Sequence, residues 1–290
     1  MRQEIRVELK LDRNEAALLD HHSLLNLFNV LEAQLSRIMQ AIPGTGLRQY
    51  TNFCLEVLVH LPRTRIQELT PEMMDHCSRL KARIRDLLDH HPDQALLLNG
   101  VLDIIRIGHL RLEEYTMDRF AWQETDPQQF KENLEVFLQA TSRVSGNRFT
   151  VAFTPEPPRG DAYWIDFRIE TNGHPLMAPP VLHDTIRDLV GNARKYSPPG
   201  SRIGIQLASP APGQLQLRVE DEGVGIPEEE IDKVVRFGYR ATNVLDRRTM
   251  GGGFGLTKAY NVCRRYGGRF FIESGIGEGT SIEMTLSDAI

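Results

Sequence analysis

The sequence predicts an α+β protein in which an N-terminal helical bundle precedes a two-layer α/β domain with a mixed sheet. Three observations carry that expectation. From Asn14 to about Tyr115 the apolar residues recur at three- and four-residue spacing, the period of an amphipathic helix. From Arg148 onward, short runs of alternating or β-branched residues are bounded by Gly, Pro and Asn, which is the pattern of strands. A polar stretch, "AWQETDPQQF", separates the two regimes.

In the first half, Leu18, Leu25, Phe28, Leu31, Leu35 and Ile38 make one stripe, and Leu98, Val101, Leu102, Ile105 and Leu112 make another. Breaks fall at "PGTG" (Pro43 to Gly46), at "LPRTR" after Leu61 and at "HHPDQ" before Ala95. "TPEM" then sets Thr70 as a cap before Pro71 at a first helical position. About four helices result, arranged as a bundle, and one more helix is expected near Gln128 to Val144. The strands expected beyond it are "RFTVAFTP", "AYWIDFRIET", "RIGIQLAS", "GQLQLRVED", "RFFIES" and "GTSIEMTL", with helices at about 180–196 and 254–266 between them. Strands alternating with helices and ending in a close strand pair indicate the two-layer architecture. The boundary lies within about 120–148, giving domains at 1–125 and 126–290.

With 290 residues, 41% of them hydrophobic, the chain can bury a core in each of two domains. A net charge of -5 argues against a general nucleic-acid binder, which needs a basic face for phosphates. Cys54, Cys77 and Cys263 are widely spaced and odd in number, which fits free thiols in a reducing compartment. "MRQEIRVELK" has no apolar core of signal-peptide length, and no run of about 18 uncharged apolar residues occurs. A cytoplasmic location without membrane insertion is expected.

Three punctuated motifs follow one another in the second half: "DLVGNARKYS" (Asp188 to Ser197), "DEGVGIP" (Asp221 to Pro227) directly after a strand, and "GGGFGL" (Gly251 to Leu256) opening a helix. Glycines between a strand and a helix let backbone approach a ligand closely, and helix-terminal N–H groups attract anions. A polyphosphate requires both. The spacing is neither that of a P-loop nor that of a dinucleotide fingerprint.

In this order the motifs resemble the ATP-binding domain shared by gyrase, heat-shock chaperone, histidine kinase and mismatch-repair ATPases, and most of all that of bacterial sensor histidine kinases. The likeness runs from about Val181 to the end: "HDTIRDLVGNARKYS" as the N box, "DEGVGI" as the first glycine box, "RFGYRAT" near the phenylalanine box and "GGGFGLTKAY" as the second glycine box. The closing "YGGRFFIESGIGEGTSIEMTL" fits the final strand pair. The resemblance implies that Asn192 is a ligand of Mg²⁺, an ion that keeps few protein ligands, and that Asp221 accepts a hydrogen bond from the adenine amino group. The plainer alternative for Asn192 is a helix-capping or surface amide, and from local sequence alone a turn-forming acid before glycine is equally natural for Asp221. Gly223, Gly225, Gly251, Gly253 and Gly255 would give the nucleotide close backbone, and Lys195 and Arg194 would reach phosphates. Two bases late in a helix also suit its negative end. Tyr196, Leu256 and Thr280 would border the ligand, and Arg240, Arg247 and Arg248 lie in the expected lid between Phe237 and Met250.

In the resembled kinases the phosphoryl acceptor is a histidine on a helix of the dimerising bundle. "DHHSLLNLFN" offers two. At about 100° per residue His21 falls inside the stripe of Leu24, Leu25, Phe28, Leu31 and Leu35, while His22 lies at its flank beside Asn26 and Asn29. HH-x-x-x-N is similar to the acceptor region of one subfamily, so His22 is the expected acceptor. Near pH 7 most of an imidazole with pKa about 6.5 is neutral and nucleophilic. Many relatives carry an acid directly after the acceptor; here Ser23 stands there, which leaves the general base unassigned. His90 and His91 are the next candidates, and His60, His76, His109, His174 and His183 are read as packing, capping or surface residues.

Asp188 precedes Asn192 by one turn and shares its helical face. Hydrolysing relatives carry an acid there to activate water, so Asp188 is a catalytic candidate beside His22, either for hydrolysis or for placing a metal-bound water. The implied activity is that of a homodimeric histidine autokinase using ATP and Mg²⁺, relaying its phosphoryl group to a response regulator and receiving its stimulus from a separate sensory protein. The alternatives are an ATPase or serine-type protein kinase of the same superfamily, since four helices before this domain also resemble the mitochondrial dehydrogenase kinases, or a nucleotide-dependent interaction module without transfer.

Overall fold

The computed structural model describes residues 2–61, 66–246 and 252–288. Four long helices make up most of the first half: α1 (Arg13–Ala41), α2 (Arg48–His60), α3 (Ile66–His90) and α4 (Ala95–Thr116). Each forms because its apolar residues recur on one face. Leu24, Phe28, Leu31, Leu35 and Ile38 of α1 are at most 1% exposed, and they lie in one core with Val57, Met73, Leu80, Ile84, Leu98, Val101 and Leu112. Helix α1 packs on α2 and α4, and α3 on α4. The apolar stripe of α1 is therefore covered within a single chain. Tyr115 donates its hydroxyl to the carbonyl of Asp20, and Arg111 donates to that of Ser23, which fixes the His22 region of α1 against α4.

One helix start differs from the expectation. Thr70 and Pro71 lie inside α3, and the Thr70 hydroxyl donates to the Ile66 carbonyl at 2.8 Å. Burial of Ile66 (6% exposed) and Thr70 (1%) extends the helix toward its N-terminus past the local capping signal. The break expected at "LPRTR" falls on residues 62–65, which lie outside the described residues.

The seven-stranded sheet among the described residues is built from β1 (Arg2–Glu4), β3 (Val151–Ala152), β4 (Tyr163–Glu170), β6 (Arg202–Ala208), β7 (Gln214–Asp221), β8 (Phe270–Ser274) and β9 (Thr280–Ser287). Its order is β1-β8-β9-β7-β6-β4-β3. The β3–β4 and β4–β6 pairs are parallel and the rest antiparallel. A separate ribbon joins β2 (Gln123–Glu124) to β5 (Met177–Ala178). Helices α6 (Val181–Tyr196) and α7 (Gly255–Arg265) pack on each other and onto the sheet, so the expected two layers and mixed sheet are present.

The chain divides into two compact units, one of Arg13–Arg119 and Val136–Arg148, the other of Met1–Asp12, Phe120–Glu135 and Phe149–Ile290. The cut expected between residues 125 and 126 falls inside the segment Phe120–Glu135. Residues 1–12 join the sheet unit because β1 pairs with β8 and the Tyr260 hydroxyl donates to the Val7 carbonyl at 2.7 Å. Residues 136–148 join the bundle because Ala140 and Phe137 pack into its core.

Helix α5 (Pro127–Val144) begins where Asp126 Oδ1 accepts the N–H groups of Gln128 and Gln129 at 2.7 and 2.9 Å. Such a cap satisfies N–H groups that have no partner within the helix. Asp126→Ala is therefore expected to cost about 1 kcal/mol, read as a fall of about 2–4 °C in melting temperature.

The three cysteines are free and buried. Burial pushes each thiol up to about 12, so none is a nucleophile near neutral pH. Among the described residues no helix is long and apolar enough to cross a membrane.

Candidate nucleotide site

Three of the sequence motifs converge in the sheet unit. The residues Asp184, Asp188 and Asn192 lie one turn apart along α6, on the face turned to the first turn of α7. A Cβ placed on Gly255 would stand 2.8 Å from Asn192 Nδ2. The N-box amide thus rests directly on the start of the helix opened by the glycine run, and a side chain at Gly255 would have to displace it. One turn on, Lys258 of α7 donates to Asp184 and stands 3.1 Å from Asp188 Oδ2.

The first glycine box is stitched to the turn between β8 and β9. Val224 donates its N–H to Tyr196 O at 3.2 Å, Gly277 to Val224 O at 2.9 Å and Gly279 to Gly223 O at 3.1 Å. Ser274 is the centre of this stitch. Its Oγ accepts the N–H of Ile226 at 2.9 Å, donates to Gly279 O at 2.8 Å and lies 3.0 Å from Thr280 Oγ1.

Asp221, the last residue of β7, accepts the N–H of Gly223 at 2.8 Å. Burial pushes its carboxyl up to about 6, against hydrogen bonds from the backbones of Gly223 and Thr280 and with Glu222 adding to the rise. A half-buried carboxylate so placed has acceptor capacity left for a further N–H donor.

Cations stand near the other end of α6. Burial lowers Lys195 below the ordinary lysine range; Asp188 opposes that shift, while Arg194 and Arg240 add to it. An anion arriving there would favour the charged form. Arg194 itself lies over the Phe149 ring at 3.9 Å. Arg240 donates to Val244 O at 2.9 Å, next to Asn243, whose amide donates to Gly225 O at 2.9 Å. The Phe237 and Phe254 rings are 4.7 Å apart, and the Thr257 hydroxyl donates to Arg236 O at 3.0 Å. Leu256 is partly buried at the start of α7. Gly251, Arg247 and Arg248 lie outside the described residues.

Gly253 has φ +75°, and a Cβ there would lie 2.7 Å from Tyr239 O. Close backbone, a half-buried acid at the end of β7 and a half-buried lysine in the last turn of α6 make a set of groups that fits an adenine nucleotide. The donor set also fits magnesium: an amide oxygen with a carboxylate one turn away, in surroundings that would leave water and phosphate oxygens as the other ligands.

Residues 177–290 match the family described as histidine kinase-, DNA gyrase B-, and HSP90-like ATPases. That segment is a domain of this family. Sensor histidine kinase Hik2 of Thermosynechococcus vestitus is 33% identical over 129 residues, 44% of this chain and 29% of that protein. Sensor histidine kinase WalK of Bacillus subtilis is 34% identical over 106 residues, 36% of this chain and 17% of that protein. The alignments therefore span less than a third of either relative. Among solved structures, a mycobacterial sensor histidine kinase, MprB, aligns over 58% of this chain and 97% of that one at 22% identity and a TM-score of 0.40.

Outside the histidine kinase-like ATPase domain, His22 sits on α1 with Asn26 Nδ2 3.0 Å from its Nε2. An amide nitrogen donates and does not accept, so in this arrangement Nε2 is the acceptor of the Asn26 hydrogen bond. His21 is 9% exposed, its Nδ1 3.2 Å from Ala17 O, as expected of a packed residue. Ser23 is 3% exposed and cannot substitute for the missing acid. His76 stacks on Phe53 with ring centroids 3.6 Å apart, and His183 on Phe130 at 3.9 Å. Burial pushes His183 down to about 3. His90 Nδ1 lies 2.7 Å from Asp86 O.

Proposed function

We propose that this chain is an ATP-dependent protein histidine kinase that phosphorylates itself on His22 and passes the group to an aspartate of a response regulator. The observation that supports it most is the meeting of Asn192 with Gly255 beside the charge cluster of α6 and α7, with Asp221 half-buried at the end of β7. In this reading Asp221 accepts the adenine amino group, and Gly223, Gly225, Gly251, Gly253 and Gly255 give the backbone room to follow the ligand. Tyr196, Leu256 and Thr280 border it. Lys195 and Arg240 face the phosphates, and Asn192 would hold Mg²⁺. Magnesium, when bound, offsets charge on the β- and γ-phosphates.

For transfer, the Nε2 lone pair of His22 forms a bond to the γ-phosphorus as the bond to the β,γ-bridging oxygen breaks. ADP leaves with that electron pair, and the ring releases its Nδ1 proton to solvent. Positioning and charge neutralisation carry most of such a reaction. A homodimer, a receiver domain and a separate sensory chain are the proposed partners, and the buried free thiols suit a cytoplasmic setting.

The test is incubation with γ-labelled ATP and Mg²⁺, followed by site mapping. Acid-labile, base-stable label on His22 is expected. Label on another residue, or none from protein that binds ATP, overturns the assignment. One observation favours a second reading, ATP hydrolysis: Asp188 stands one turn before Asn192, where it can direct water. Phosphate release lost in Asp188→Asn but untouched in His22→Ala would select it.

A further inference from the structure

Lys258 is a lysine in the apolar stripe of a helix. It is 5% exposed and lies between Asp184, 1% exposed, and Asp188. Arg187 Nη1, on a side chain equally buried, is 4.0 Å from Asp184 Oδ1. Buried charges are rare unless paired, because removal from water is costly. Here two carboxylates on α6 are spanned by one ammonium from α7, one turn from the point where Asn192 meets Gly255.

We propose that Lys258 is a positioning residue of the nucleotide site. It anchors the first turn of α7 to the face of α6 that presents Asn192, and it offsets part of the charge of two carboxylates that would otherwise repel a triphosphate. This rests on the reading of the site as a nucleotide site. The geometry gives the anchor its direction: Gly255 opposes Asn192 while Lys258 opposes Asp188 and Asp184, so α7 runs back along α6 with the ion pairs holding its register. Among the described residues Arg187 also approaches Asp184, and Lys195, itself influenced by Arg240, feels Asp188. Removal of Lys258 therefore leaves Asp188, one turn from Asn192, and Asp184 behind it with one cation fewer between them.

Adenosine, ADP and ATP separate this role from a merely structural one, because the adenine end is set by Asp221 on a strand and not by α7. Calorimetric titrations with Mg²⁺ present are expected to show Lys258→Met weakening ATP roughly 10- to 100-fold, the usual effect of losing a partner behind a ligand-holding residue, and ADP less. Adenosine should hold within about twofold, since Coulomb repulsion grows with phosphate charge. Lys258→Arg should bind ATP near the wild-type level. Lys258→Met with Asp184→Asn, which removes a stranded carboxylate together with its cation, should recover most of the loss and serves if the single variant folds poorly. Unchanged ATP affinity in Lys258→Met, or an equal loss for adenosine and ATP, overturns the inference. Wild-type protein that takes up no nucleotide would overturn the site itself instead.

Discussion

Asp221→Asn is expected to weaken ATP and ADP binding about 10- to 100-fold, the worth of a hydrogen bond to a charged group, and at the same time to raise the melting temperature of the unliganded protein. The two effects have one cause. Asp221 sits mostly buried, its carboxyl pushed from 3.8 up to about 6 by desolvation, with backbone N–H groups as the donors that oppose the shift. Ionising it there costs stability, on the order of 2 kcal/mol at neutral pH. Asparagine keeps the shape and can still accept the Gly223 N–H, but it carries no charge to desolvate. Calorimetry with ADP and a thermal melt of the same preparation check both halves. A variant that binds normally, or melts below wild type, would defeat this account of Asp221.

The pH dependence follows with a definite sign. A carboxyl whose folded pKa is raised binds protons more tightly in the native state, so its contribution to stability is full below about 4 and is lost as pH rises toward 6. The melting-temperature gap between Asp221→Asn and wild type should widen from pH 5 to pH 7 and then stay level. Nucleotide binding runs the other way. The protonated acid donates where adenine also donates, so wild-type affinity should fall as pH drops from 7 toward 5, while the variant stays flat. Bound adenine favours the ionised form, which places the midpoint of that fall somewhat below 6.

The features legible in the sequence are those set by short-range patterns. The stripe from Leu24 to Ile38 states a helix and its buried face, and "GQLQLRVED" states a strand and its alternation, because each is decided by a period of a few residues. The edge strand β1 is different. Arg2–Glu4 carries no apolar signal, and its partner β8 lies at the far end of the chain. Only the alternation of Ile5, Val7 and Leu9, which are inward while Arg6, Glu8 and Lys10 are exposed, hints at it. At Thr70 and Pro71 a strong local signal loses to the burial of Ile66. The site divides in the same way. Asn192, Asp221 and the glycines are visible as punctuation, whereas the turn of Arg194 toward Phe149 depends on a residue from another element. Lys258 left a trace: a lysine among Ala259, Val262 and Cys263 on an otherwise apolar face, opposite two acids four residues apart.

The largest loss of stability is expected from Gly225→Ala, about 3–5 kcal/mol, and its neighbour in the same motif supplies the control. Gly225 has φ +71°, and an added Cβ would fall 1.8 Å from Gly275 O and 2.6 Å from its carbonyl carbon. Those are backbone atoms of the turn that Ser274 and Gly277 tie to the first glycine box, so no side chain can move aside, and the box and the β8–β9 turn must separate. Gly277 has φ +77° and nothing within 4 Å of its virtual Cβ. Gly277→Ala therefore isolates the conformational part alone, about 1 kcal/mol. If close approach of two backbones is what this position demands, chemical denaturation will show the first substitution costing several times the second and carrying nucleotide binding away with it. Equal losses would mean that only the left-handed backbone matters, and that the glycine box is held to its turn less tightly than the hydrogen bonds from Gly277 and Gly279 imply.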